Sequence, residues 1–185
     1  MIASDYMSAN FRKIGRPGVR VQVDETVLVR GRLIRNPSST HDDIPNSVWL
    51  LGGIEETDEE RIFLKIVPNR GVETLTEVLF NEVESGSILI TDGYPSYPQA
   101  ATNCNFNHLI VNHSRGFVNN DGDHTNKIEN VWSHLKSHLR TVHGVMRTEM
   151  ESFVVEFAFR RRFIKENTRE EINELFFNLV RTIFN

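Results

Sequence analysis

The stretch from His124 to Lys136, His-Thr-Asn-Lys-Ile-Glu-Asn-Val-Trp-Ser-His-Leu-Lys, constrains the fold more than any other. Ile128, Val131, Trp132, Leu135 and Leu139 recur at three- and four-residue steps. That spacing predicts a helix with one buried face, running to about Val142. Glu129, Ser133, Lys136 and Arg140 keep the same steps on an adjacent stripe. A carboxylate and two cations therefore line a single edge of a docked helix. On a solvated face such charges form pairs worth only ~0.3 kcal/mol each. The case for a site rests on what lies upstream.

Val19–Val29 is rich in β-branched residues at two-residue spacing and reads as a strand, interrupted by Asp24-Glu25. Ser47–Ile54 and Arg61–Val67 read as two more strands, joined by the acidic turn 55–60. Val72, Leu75, Val78, Leu79 and Val83 have helical spacing, and Ser85-Gly86 ends that helix. Ser87–Thr91 is a short apolar run, as in a buried strand, and Asp92-Gly93 follows directly. Tyr97–Ala101 reads as a short helix and Leu109–Val111 as a strand. Beyond the polar loop 119–123 come the helix already described, a second from Glu149 to Lys165 and a last from Arg169 to Ile183. The order predicts an α/β fold: a mixed sheet of about five strands flanked by helices, with C-terminal helices.

A length of 185 residues suits one domain with a substantial core. No apolar run approaches the roughly 20 residues of a membrane span, and Met1–Asn10 lacks the layout of a secretory signal. A single cysteine, Cys104, excludes an internal disulfide and a four-cysteine zinc site. A protein that is not secreted is expected, residing in the nucleus of a eukaryote or the cytoplasm and nucleoid of a bacterium. The net charge of −4 is uneven. Residues 1–40 hold seven Lys and Arg against three Asp and Glu, residues 41–123 four against fourteen, and residues 124–165 eight against four. An acidic centre between two basic walls permits a nucleic-acid partner without requiring one.

Three carboxylates stand at telling places. Asp24 interrupts the first strand. Asp92 sits past the end of a buried strand, where open α/β sheets place ligands. Glu129 lies on the late helix, with 36 residues between it and Asp92. Hard divalent cations take oxygen ligands of this kind and keep positions open for water and phosphate oxygens. Two such ions about 4 Å apart serve phosphodiester chemistry.

Four blocks in order carry a resemblance: Val23-Asp24-Glu25-Thr26, Thr91-Asp92-Gly93-Tyr94, Val111-Asn112-His113-Ser114 and His124 through Trp132. Together they resemble the ISXO2-like (IS1595/Merlin) group of DDE transposases over roughly residues 19–163, and the 36-residue gap matches the Merlin pattern. The resemblance implies an RNase H-like fold and a catalytic triad of Asp24, Asp92 and Glu129 holding two Mg²⁺ or Mn²⁺ ions. It implies nicking of DNA at transposon ends, then attack of the freed 3′-OH on target DNA. Some relatives use an asparagine in the third role, which makes Asn126 the alternative ligand. Lys136 matches the family's basic residue seven after the glutamate and is expected to contact phosphate, with Arg140 on the same stripe. His113 and His124 match family positions near the site and are candidates for contacting DNA or ordering the carboxylates.

The chain reads as a basic N-terminal arm (1–18), the catalytic domain (19–165) that the resemblance covers, and a C-terminal helix (166–185) packing on the domain or a partner, its adjacent Phe176 and Phe177 a hint of a homodimer. Many bacterial members carry an N-terminal zinc-binding or helix-turn-helix segment, and residues 1–18 are too short to be one. The chain is then either a truncated copy, in which end recognition is lost, or a catalytic domain that relies on other contacts. A domesticated or truncated copy that binds DNA or protein without catalysis is the alternative. Arg160-Arg161-Arg162 is a further candidate for gripping a DNA backbone. Residues 30–46 read as a mobile basic loop, Glu25 as a residue of the opposite strand face, and Trp132 as a core anchor. His134 and His138 have the spacing of a helical zinc pair but lack an evident third ligand.

Overall fold

The computed structural model describes residues 12–29, 33–35, 47–111 and 125–163. Strand β1 (Arg20–Val29) is the spine of a five-stranded sheet. It pairs antiparallel with β3 (Ser47–Glu55), which pairs antiparallel with β4 (Ile62–Val67). On its other side β1 pairs parallel with β5 (Ile88–Thr91), and β5 with β6 (Asn107–Ile110). The spatial order is β4-β3-β1-β5-β6.

Strand alternation sends successive side chains to opposite faces, and each face has its own helices. Leu28, Leu50, Ile54 and Leu64 meet α3 (Asn126–Thr141) and α4 (Met150–Phe163), burying Ile128, Val131, Trp132, Leu135 and Leu139 as the periodicity predicts. Val21, Val23, Leu51, Phe63 and Leu89 meet α1 (Val72–Glu82) and α2 (Ser96–Asn103) on the other face. The expected mixed sheet of five strands flanked by helices is present. Among the described residues no helix is long and apolar enough to cross a membrane.

Two expectations need correction, the loop at 30–46 and the end of the first helix. The supposed loop at 30–46 contains β2 (Ile34–Arg35), which pairs parallel with β7 (Val145–Met146). Ile34 is buried there because the chain turns back behind α3, with Gly144 in the left-handed conformation that closes the helix. The described part of the N-terminal segment docks on the domain. Ile14 lies in the core, bridged to Val83, and the Gly15 N–H donates to the buried Glu55 carboxylate at 2.7 Å. That bridge also explains why α1 ends at Glu82, ahead of Ser85-Gly86: Val83 leaves the helix to pair with Ile14. The C-terminal helix expected at 166–185 lies outside the described residues.

Candidate active site

Asp24 and Asp92 are brought together by strand register. Gln22 on β1 pairs with Ile90 on β5, so continuing two residues along parallel strands sets Asp24 level with Asp92, on the α3 face. Neither carboxylate is left to swing. The Trp132 indole Nε1–H donates to Asp24 Oδ2 at 3.0 Å, and the Tyr94 backbone N–H donates to Asp92 Oδ1 at 3.0 Å. Burial, then the charges of Glu25 and Asp92, push Asp24 up to about 7, outweighing the hydrogen bonds it accepts from the Glu25 backbone and Trp132. Two acidic groups crowded at one strand end fit a hard divalent cation, which supplies the opposing charge.

Glycine makes the approach of Trp132 feasible. Gly52 lies directly across from Asp24 on β3, and a Cβ there would stand 2.5 Å from Trp132 Cη2. The bare backbone seats the indole over Gly52 with its N–H aimed at Asp24. Trp132 is thus a core anchor, as expected, and also a polar partner of the site.

Glu129 lies three residues before Trp132 on α3, exposed at its first turn, with Oε1 accepting from the Thr125 hydroxyl at 2.8 Å. Asn126, also exposed, opens the helix. Among the described residues no three His, Cys, Asp or Glu side chains stand close enough to hold one ion. The two aspartates are brought together; among the described residues Glu129, one turn before Trp132 on the helix, does not form a three-ligand cluster with them. Lys136 is half-buried near enough to Asp24 to feel its charge, and burial lowers the Lys136 ammonium below its usual range. Arg140 is exposed one turn further on.

The remaining candidates scatter. Arg160 is exposed and paired with Glu156 at 2.7 Å, one helical turn away. Arg161 is turned inward, its side chain 10% exposed, against Glu60 and the His134 ring. His138 stacks on Phe153 at 5.3 Å, and no zinc cluster forms from the His134/His138 pair among the described residues. His113, His124 and the Arg162 side chain lie outside what is described.

Two residues next to the site escaped the sequence reading. Gln22, fully buried on β1, faces α3 beside Asp24. A polar residue between Val21 and Val23 was its visible signal. Arg70 had none: it follows β4 in an irregular segment, yet its guanidinium lies 4.2 Å from the centres of both the Trp49 and Tyr94 rings and donates to Glu25 at 2.9 Å. Glu25 is on the opposite sheet face, as expected, and is buried there, also accepting from the Tyr97 hydroxyl at 2.5 Å. The same Tyr94 whose ring holds Arg70 gives its N–H to Asp92, so this cluster braces the Asp92 loop from behind.

Comparison with known proteins gives the family. One relative is an uncharacterized transposase-like protein of Haemophilus influenzae, 31% identical over 100 residues, which covers 54% of this chain and 80% of that protein. Among solved structures, a pre-cleavage Mos1 transpososome matches with a TM-score of 0.45 and 11% identity, covering 86% of this chain and 54% of that one. The chain thus spans about half the length of the Mos1 chain it matches. The family described as the ISXO2-like transposase domain matches residues 18–162, most of the chain, and the chain belongs to that family.

Proposed function

We propose that this chain is the catalytic domain of a DDE transposase, nicking DNA at transposon ends and joining the freed 3′-OH to target DNA. The observation that carries this reading is the pair Asp24 on β1 and Asp92 just past the end of the parallel strand β5, close enough for Asp92's charge to act on Asp24 and each oriented by a hydrogen bond. Asp24 and Asp92 hold the divalent ions in this reading, with Glu129, or Asn126 one turn earlier, as the third ligand. Bound Mg²⁺ or Mn²⁺, two ions together, supplies activation of water or 3′-OH and stabilises the leaving oxygen. The chain's own residues do the rest. Trp132 and the Tyr94 N–H fix the two aspartates, Lys136 and Arg140 extend the stripe as phosphate contacts, and Arg160 adds an exposed cation. DNA is the partner, and a homodimer would pair two such centres. The protein acts wherever its host keeps its DNA.

The test is nicking and strand transfer on labelled transposon-end DNA with Mg²⁺ or Mn²⁺, using wild type, Asp92→Asn, Glu129→Gln and Asn126→Ala. Metal-dependent products lost in Asp92→Asn and Glu129→Gln support the triad. Loss in Asn126→Ala with survival in Glu129→Gln moves the third role to Asn126. A second reading, a domesticated or truncated copy that binds DNA or protein without cutting, draws on Glu129 being held by Thr125, with no three-ligand cluster among the described residues. Wild-type binding with no product would favour it.

A further inference from the structure

We propose that Gln22 is a positioning residue of the catalytic centre, keying the helix that carries Glu129 to the strand that carries Asp24. The inference rests on the transposase reading for its consequence, though not for its geometry. The first N–H groups of a helix have no partner within the helix, and Thr125 at the N-cap makes no capping bond with its side chain. Gln22 supplies the acceptor from another element. Its Oε1 takes the Lys127 N–H at 3.0 Å and the Ile128 N–H at 3.2 Å, while its Nε2 donates to Glu56 Oε1 at 2.5 Å. The amide is thus held at both ends. Glu56 is itself tied to the start of β1, its backbone N–H donating to the Arg20 carbonyl at 2.8 Å.

Gln22 and Asp24 share one face of β1, two residues apart, and α3 touches both: Lys127 and Ile128 at Gln22, Trp132 at Asp24. Glu129 lies between these two fixed points. Two anchors on a rigid helix set its rotation and its slide along the strand, and with them the place from which Glu129 or Asn126 faces the aspartates. Apolar packing alone tolerates small slides. Directional bonds at a buried helix end do not.

The test compares wild type with Gln22→Met, which keeps length and loses the acceptor, with Glu56→Gln, and with the double variant Gln22→Glu/Glu56→Gln. In the double variant a carboxylate accepts the two helix N–H groups and the amide at 56 donates back to it. Hydrogen exchange of the Lys127 and Ile128 amides and the Trp132 indole NMR resonance are read on the protein alone, and nicking of labelled end DNA with Mn²⁺ is read beside them. Gln22→Met should lose protection at both amides and shift the indole resonance. Its kcat should fall about 10²-fold, as for a misplaced catalytic group, with KM for DNA within about twofold. Glu56→Gln should resemble wild type, and the double variant should restore protection, resonance and turnover. Retained amide protection in Gln22→Met overturns the proposal, as does lost protection with unchanged turnover, or a double variant that fails to recover. Should Gln22→Met not fold, the double variant and Gln22→Asn, whose reach is one methylene shorter, carry the same readouts. A wild type that cuts no DNA would sink the transposase reading, while the amide and indole signals would still decide whether Gln22 sets the helix.

Discussion

Gly52, Trp132 and Asp24 form a contact in which each residue depends on the other two. The indole needs the missing Cβ of Gly52 to reach Asp24, and the Asp24 carboxylate has the indole N–H as a fixed donor. Gly52→Ala should displace the ring and destabilise the fold by about 1–3 kcal/mol, the usual cost of overpacking. Guanidinium unfolding followed by tryptophan fluorescence would measure it, and an unchanged midpoint would mean the ring has room to move. On the opposite face, Arg70 is the cation of a buried cluster. Arg70→Met removes a donor to buried Glu25 and should cost about 1–3 kcal/mol. It should also loosen the Asp92 loop, visible as faster exchange of the Tyr94 amide that Asp92 accepts. Exchange as slow as in wild type would show that the loop holds itself.

Among elements, the segment ahead of β1 is the least expected, because a short basic stretch rich in glycine and proline has no periodicity to reveal a docked state. It is fastened by Glu55 at the end of β3. Burial pushes that carboxyl up, but hydrogen bonds from Arg61, the Gly15 N–H and Thr57 outweigh it and hold Glu55 below the ordinary range. A depressed folded value means the stabilisation is present above the ordinary carboxylate pKa and is lost as pH falls through the folded one. Glu55→Gln should therefore be less stable than wild type at neutral pH, with the gap closing in acid. Thermal melts at a series of pH values would show it, and parallel curves would contradict it. The described helices and the five strands of the sheet were legible because apolar patterning is local. The Ile34–Arg35 to Val145–Met146 pairing was not, since two-residue strands carry no pattern and their partners are more than a hundred residues apart. At the site, the aspartates were legible from their motifs. Gly52-Gly53 inside a strand was a signal of close approach left unread, and the roles of Gln22 and Arg70 depend on long-range contacts that spacing cannot encode.

At the scale of the whole molecule, the sheet separates two jobs. One face carries α1 and α2 and braces the Asp92 loop through Arg70, Glu25 and Tyr94. The other carries α3 and α4 and gathers Trp132 and Lys136 around Asp24. Asp92 of the acidic middle and Lys136 of the late basic segment thus both stand near Asp24, past the end of β5, where the proposed cation would sit. The most direct test of this account is a titration of the protein with Mn²⁺, following paramagnetic broadening of backbone amide resonances. Broadening centred on Asp24, Asp92 and Tyr94, and lost in Asp92→Asn, is the predicted result. Broadening centred elsewhere, or unchanged in Asp92→Asn, would contradict the claim that these two aspartates form one cation-holding centre.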